Sequence, residues 1–204
     1  MLIGYNMRYL TSLNTKLILK LLYTNPDKKY YLQELARLIG KKAGVLQKAV
    51  NYLVKEKIVL DERMGNLRLL FINKTHPLYH EIQSIIFKTI GVEGGLREAL
   101  KKIKNIRFAF IYGSFAKNTS DAISDIDLCI IGDVKMREII RALSPEEKAL
   151  QREITYVLYS PREFKRKITG NDPFITGILI GAVFLIGTYE KLILFKGLKR
   201  SIPN

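Results

Sequence analysis

The chain of 204 residues is poor in cysteine, tryptophan and histidine, with one, none and two copies respectively. The single cysteine, Cys129, excludes a disulfide framework and a zinc site built from thiolates. His76 and His80 are too few to form a histidine-based metal centre, and we expect both to be structural. The lone thiol and the absence of a signal-peptide pattern predict a cytoplasmic protein.

Long hydrophobic runs are also missing. The most apolar stretch, residues 174–187, is shorter than the ~20 residues that a membrane-spanning helix needs. Gly177 and Gly181 interrupt it. We therefore expect a buried helix followed by a buried strand, and no membrane span.

Acidic residues are scarce relative to basic ones. The chain has 34 Lys and Arg against 19 Asp and Glu, a formal net charge of +15. Residues 1–90 contribute +9 of this charge and residues 91–204 contribute +6. Excess positive charge attracts polyanions without choosing among them, so nucleic acid, nucleotides and acidic membrane surfaces all stay open.

Residues 1–75 show the order helix, helix, helix, hairpin. Apolar residues at helical spacing predict helices near residues 9–23, 32–39 and 43–57. Strand-like runs at 58–63 and 67–72 flank a turn at Met64-Gly65-Asn66. This order predicts a winged helix-turn-helix domain over residues 1–75.

The third helix of such a domain usually enters the major groove of DNA. Lysines suit phosphates, while Gln and Asn can pair with adenine edges. A winged helix can instead serve protein contact or dimerisation, but the charge of this half favours DNA. Winged-helix regulators commonly dimerise to read two DNA half-sites, so we expect a homodimer. The predicted DNA contacts are Lys41, Lys42, Gln47, Lys48 and Asn51 on the helix, with Arg63 and Arg68 on the hairpin.

A linking segment is predicted at residues 76–95. Apolar residues recur at helical spacing over 78–90, which indicates a connecting helix with one buried stripe. Gly91-Val92-Glu93-Gly94-Gly95 follows and is typical of a flexible break. Strands and helices then alternate over residues 96–204, with strands predicted at 106–112, 126–131, 154–159 and 182–186.

A phosphate-binding turn and a carboxylate pair lie between the first two of these strands. Glycine lets the backbone approach a ligand closely, so Gly113, Ser114 and Ser124 are the predicted nucleotide-binding residues. Asp125 and Asp127 stand two apart on a strand and therefore point to one face. Two adjacent carboxylates repel each other unless a divalent cation lies between them, so this pair predicts a catalytic Mg²⁺ or Mn²⁺ site.

The motif Gly113-Ser114-Phe115-Ala116-Lys117-Asn118, followed by Ser124-Asp125-Ile126-Asp127-Leu128, resembles the minimal nucleotidyltransferases of the DNA polymerase β superfamily. Asn118 stands where that family usually has glycine. The resemblance implies an α/β domain with a mixed sheet that binds a nucleoside triphosphate. It also implies a third acidic residue on a later strand. Glu153 is our candidate, as catalytic base or metal ligand, although Thr155 stands about where many relatives have aspartate. Glu153 could instead simply pair with a nearby arginine such as Arg152.

Three further motifs occur along the chain: Asn73 with His76-Pro77-Leu78 after the predicted hairpin, Arg152-Glu153-Ile154, and Ser160-Pro161-Arg162-Glu163-Phe164. With these motifs, nearly the whole chain resembles a prokaryotic, often archaeal, group with a winged helix before a nucleotidyltransferase domain. Members are usually described as transcriptional regulators or nucleotidyltransferases. Three functions therefore remain open. The chain is a DNA-associated transferase of nucleoside monophosphates, an inactive nucleotide-sensing regulator, or an antitoxin-like transferase that acts on a toxin-like partner.

Overall fold

The computed structural model describes residues 12–116 and 124–197. The chain folds as two compact units: the first comprises residues up to Gly94 together with Lys148–Gln151, and the second comprises the rest. The start of the first predicted helix, at residues 9–11, lies outside the described residues, as do Lys117 and Asn118 of the motif.

The first unit contains four helices and a three-stranded antiparallel sheet among its described residues. The sheet order is β1-β3-β2, in which β1 is too short to leave a sequence signal. The second helix ends at Gly40, whose φ of 72° is left-handed. The elements are α1 (Leu13–Thr24), β1 (Tyr30–Tyr31), α2 (Leu32–Ile39), α3 (Ala43–Lys55), β2 (Val59–Met64), β3 (Leu67–Ile72) and α4 (Tyr79–Thr89).

The core of the first unit forms from the apolar stripes of its helices. Leu46, Val50 and Leu53 of α3 are buried, as the spacing predicts. The predicted connecting helix, α4, adds Ile82 and Ile86 to the same core. Burial of this stripe leaves the polar face of α3 at the surface.

The prediction that residues 91–95 form a flexible break is wrong. Helix α5 (Val92–Leu100) begins inside this segment, and Val92 is buried. A Cβ at Gly94 would overlap the carbonyl of Thr89, and a Cβ at Gly91 would lie 2.8 Å from the Ile86 carbonyl oxygen. These glycines therefore allow a close approach of consecutive helices rather than flexibility.

The second unit is built on a four-stranded sheet with the order β6-β5-β4-β7. Strands β5 and β6 are parallel, whereas β4 is antiparallel to both of its neighbours, so the sheet is mixed. The elements after α5 are β4 (Ile106–Tyr112), α6 (Gly113–Ala116), β5 (Ile126–Gly132), α7 (Met136–Leu150), β6 (Ile154–Tyr159), α8 (Pro161–Thr169), α9 (Pro173–Leu179), β7 (Val183–Ile186) and α10 (Tyr189–Lys196).

One face of this sheet packs against helices α8, α9 and α10. Phe110 and Cys129 of the sheet contact Phe164, Ile175 and Leu192 of the helices in one apolar cluster. Within the described residues, no helix is long and apolar enough to cross a bilayer. Two residues beyond Phe110 on β4 stands Tyr112, which pairs in the register with Asp127 of β5.

Candidate functional site

The site lies where three neighbouring strands carry Tyr112, Asp127 and Thr155. The β4–β5 register pairs Tyr112 with Asp127, and the β5–β6 register pairs Asp127 with Thr155. Paired residues on neighbouring strands project their side chains to the same face. The Thr155 hydroxyl donates a hydrogen bond of 3.0 Å to Asp127 Oδ1. One carboxylate oxygen of Asp127 is therefore held by a hydroxyl, and the other faces the end of β4.

Gly113 follows directly after β4 and has a φ of 73°, which an L side chain rarely adopts. A Cβ at this position would overlap Asp127 Oδ2. Both observations require glycine here, and the second shows why: the backbone of the turn passes against the carboxylate. Ser114, the next predicted ligand residue, is half-buried in the short helix α6.

Ser124 and Asp125 form the approach to β5. The Ser124 carbonyl accepts a hydrogen bond of 3.0 Å from the guanidinium of Arg152, which is buried. The same guanidinium lies over the ring of Phe115 at 5.5 Å. Asp125 is exposed and makes no hydrogen bond or ion pair with a described residue. Arg152 therefore fixes the backbone just before the carboxylate pair.

The donor set fits a hard divalent cation. Mg²⁺ binds carboxylate oxygens and usually one or two carboxylates together with substrate phosphates. The Asp127 carboxylate lies beside the Gly113 turn, and Asp125 stands two residues before it. Among the described residues, no group of three or more His, Cys, Asp and Glu is arranged to hold a metal.

Glu153 is placed by the parallel pairing of β5 and β6. Its backbone carbonyl accepts a hydrogen bond of 2.9 Å from the Ile126 amide, just before β6 begins. It stands two residues before Thr155 and therefore shares its face of the strand. The Glu153 side chain is exposed and makes no hydrogen bond or ion pair with a described residue. In the β5–β6 register, the residue directly opposite Asp127 is therefore Thr155 and not Glu153.

On the side of Asp127 away from Thr155 lies Tyr112, whose ring contacts a second ring, Phe174. Burial raises the pKa of Tyr112 to about 12, and the neighbouring carboxylate of Asp127 adds to the rise. The Tyr112 ring meets Phe174 edge to face, with ring centroids 6.1 Å apart. Phe174 is the second residue of α9 and is 46% exposed. The sequence pattern pointed to neither ring, because only the strand register and the position of α9 bring them to the site.

The predicted DNA contacts lie on one helix and one hairpin of the first unit. Lys41, Lys42 and Lys48 are exposed at the start and along the polar face of α3. Arg63 is exposed on β2 and stands opposite Arg68 of β3 in the register. Arg63 makes no ion pair with a described residue.

The remaining three predicted contacts are hydrogen-bonded to each other. Asn51 Oδ1 accepts a hydrogen bond of 3.0 Å from Gln47 Nε2 and one of 2.6 Å from Arg68 Nη1. Arg68 Nε donates at 2.7 Å to Asp61 Oδ2. Asp61 was not among the predicted site residues, because no local pattern shows that β2 and β3 bring its carboxylate to Arg68.

Residues 95–177 match the family model described as polymerase beta, nucleotidyltransferase. No curated protein is detectably similar to the chain. The matched segment contains the Gly113 turn, the carboxylate pair and β6.

Three solved structures match part of the chain, each at low sequence identity and with a low TM-score. A toxin–antitoxin structure with AMP-PNP is 18% identical, with 52% of this chain and 81% of the other covered and a TM-score of 0.37. A structure of tri-AMPylated Shewanella oneidensis HEPN toxin with MNT antitoxin is 15% identical, covering 51% and 76%, with a TM-score of 0.34. A protein described as a nucleotidyltransferase from Sulfolobus solfataricus is 18% identical, covering 37% and 68%, with a TM-score of 0.27. The family match shows that the chain contains a polymerase-β nucleotidyltransferase domain at residues 95–177.

Proposed function

We propose that the chain is a DNA-binding nucleotidyltransferase that transfers a nucleoside monophosphate from a nucleoside triphosphate to a hydroxyl acceptor. The observation that carries this proposal is the packing of the Gly113 turn against the Asp127 carboxylate, inside a segment that matches a nucleotidyltransferase family. This packing brings a phosphate-binding backbone and a metal-binding carboxylate into contact. On this proposal, the first unit is a winged helix-turn-helix that holds the transferase on DNA as a transcriptional regulator.

Each residue of the site has a distinct part in binding the triphosphate. Gly113 and Ser114 receive the phosphates, because glycine lets the backbone approach a ligand closely. Asp125 and Asp127 would hold Mg²⁺ or Mn²⁺. A bound cation would offset the negative charge that develops on the α-phosphate and on the leaving pyrophosphate. Thr155 keeps the Asp127 carboxylate in one orientation through its hydrogen bond.

The transfer conserves atoms and charge as follows. The acceptor hydroxyl oxygen forms a bond to the α-phosphorus, and the bond from that phosphorus to the pyrophosphate oxygen breaks. The hydroxyl proton passes to a carboxylate, for which exposed Glu153 is our candidate. The exposed ring of Phe174 offers a stacking surface at the edge of the site that every base can use.

One observation supports a second function, a nucleotide sensor without turnover. The side chain in register with Asp127 on β6 is the Thr155 hydroxyl, and Glu153 has no contact that directs its carboxylate toward the site. A site with two carboxylates can bind a metal–nucleotide complex without activating an acceptor. Such a protein would change its DNA binding when nucleotide binds.

Transfer is tested with the full chain, each radiolabelled nucleoside triphosphate, Mg²⁺ or Mn²⁺, and pools of protein and nucleic acid acceptors. We expect label transfer that Asp127→Asn lowers at least ~100-fold, since losing a metal ligand should exceed the effect of losing a supporting residue. Asp133→Asn, an exposed aspartate just after β5, is the matched control and should keep full activity. Nucleotide binding without transfer would replace the transferase by the sensor. Absence of both would remove the nucleotide function altogether.

The DNA-binding half of the proposal rests on the exposed cations of α3 and β2 and on the net charge of +9 over residues 1–90. A selection from a randomised duplex library tests it. Enrichment of a defined sequence by the full chain is the expected result. Recovery of no preferred sequence would count against a regulator.

A further inference from the structure

The polar face of α3 is joined to the hairpin by a chain of hydrogen bonds that changes what each residue can offer to DNA. Gln47, Asn51, Arg68 and Asp61 form this chain, and we name it the α3–hairpin network. Arg68 and Asp61 are 19% and 24% exposed, so their ion pair is partly shielded from water. The hydrogen bonds and this ion pair therefore hold the four side chains in a defined arrangement.

The orientation of the Asn51 side chain follows from the chemistry of its partners. A guanidinium has only donors, so the Asn51 atom that faces Arg68 has to be the carboxamide oxygen. That oxygen has two lone pairs, and the donors of Gln47 and Arg68 occupy both. What Asn51 presents outward is its NH₂ group alone.

From this network we infer that Asn51 reads a hydrogen-bond acceptor on a base edge, and that Arg68 positions Asn51 instead of contacting DNA; the inference rests on the proposed DNA-binding function. The bidentate contact of Asn with adenine needs one acceptor and one donor on the same carboxamide. Asn51 has no free acceptor, so that contact is closed to it. Guanine offers two acceptors side by side in the major groove, adenine and thymine offer one each, and cytosine offers only a donor. Because the NH₂ group of Asn51 carries two hydrogens and no acceptor, guanine is the base that suits it best.

The hairpin cations divide into two roles for the same reason. Arg68 directs its Nε to Asp61 and its Nη1 to Asn51, and the carboxylate of Asp61 offsets its charge. Arg63 stands opposite Arg68 in the register, so both side chains project to the same face of the hairpin. Since Arg63 is exposed, it is the phosphate contact of the hairpin. Asp61 also relieves the repulsion between the two arginines.

The test measures base preference and salt dependence for the full chain and three variants, starting from a randomised duplex library. The wild type should enrich guanine at the position read by Asn51. Asn51→Asp keeps the oxygen that Arg68 and Gln47 need but loses the NH₂ group, so it should lose that preference by about tenfold. Asp61→Ala with Arg68→Ala removes the network without changing the net charge. It should leave the salt slope unchanged and let adenine compete with guanine.

Arg63→Ala provides the contrasting result. It should reduce the slope of log K against log salt by about 0.9, the amount for one lost phosphate contact, and keep the guanine preference. Circular dichroism of each variant verifies folding. Adenine preference in the wild type, or a reduced salt slope in the Asp61/Arg68 double variant, would overturn the inference while DNA binding stands. A wild type without salt-sensitive binding would overturn the proposed DNA-binding function, and the inference with it.

Discussion

At the scale of single residues, the close fit between Gly113 and Asp127 determines what the candidate site can be. Gly113→Ala should weaken nucleotide binding at least ~10-fold, because the added Cβ displaces the Asp127 carboxylate. It should also cost roughly 1–3 kcal/mol of stability through its left-handed backbone alone. Gly197→Ala is the control: its φ is 83°, but nothing lies within 4 Å of the added Cβ. Binding titration and denaturation of both variants check this, and equal nucleotide affinity for the two would refute the proposed fit.

The Tyr112 phenol makes the stability of the second unit sensitive to alkaline pH. An unfolded tyrosine ionises near pH 10. In the folded protein, burial and, to a smaller extent, the Asp127 carboxylate raise the pKa of Tyr112 to about 12, so the phenol stays protonated to a higher pH. Its contribution is therefore complete below pH 10 and is lost as pH rises toward 12. Denaturation from pH 8 to 11 should show a smaller alkaline loss in Tyr112→Phe than in the wild type. An identical loss would contradict this role.

The residues of the site differ in how far the sequence reveals them. Asp125 and Asp127 are recognisable because alternation along one strand puts both on one face. Thr155 meets Asp127 only through the parallel register of β5 and β6, which sequence spacing does not specify. The same holds for Asp61, whose partner Arg68 lies on the next strand. Periodicity predicts which side chains of one strand share a face. It does not predict which side chains of two neighbouring strands lie beside each other.

At the scale of secondary-structure elements, the turn from the end of α4 into the start of α5 depends on glycine. Gly94→Ala should destabilise the first unit by roughly 1–3 kcal/mol, as overpacking does elsewhere, since its Cβ overlaps the Thr89 carbonyl. Gly44→Ala, in helix α3 with open space around the new Cβ, should instead stabilise by about 1 kcal/mol. Chemical denaturation of the two variants compares the signs. Stabilisation by Gly94→Ala would mean that residues 91–95 are flexible after all.

Elements with a clear period or cap were predictable from the sequence. Helix α2 and strands β4 and β6 have the predicted bounds, because their apolar residues follow one period between clear end signals. Helix α7 continues through Pro145 to Leu150, although a proline usually ends or kinks a helix. Helix α10 was not predicted, because the apolar run that it contains shows no polar face at helical spacing. Thr188 nevertheless caps its start by accepting a hydrogen bond from the Lys191 amide.

At the scale of the whole molecule, the net charge of +15 predicts salt-sensitive binding to DNA. If Lys41, Lys42, Lys48 and Arg63 each contact a phosphate, raising the salt concentration from 50 to 200 mM should lower the affinity for DNA about 100-fold. Changing Lys41 and Lys42 to Gln should reduce the slope of log K against log salt by about two. Changing Lys28 and Lys88 to Gln removes the same charge from exposed positions outside α3 and should leave the slope nearly intact. Equal slopes in fluorescence-anisotropy titrations of both pairs would show that the charge acts without a defined surface.

We propose above all that Asp127 binds a divalent cation together with a nucleoside triphosphate beside Gly113. Calorimetric titration of the full chain with a non-hydrolysable ATP analogue, with Mg²⁺ and with EDTA, measures this binding without any acceptor. We expect binding that needs the cation, falls at least ~10-fold in Asp127→Asn and persists in Asp133→Asn. Binding that is equally strong in EDTA or in Asp127→Asn, or no binding by the wild type, would contradict it.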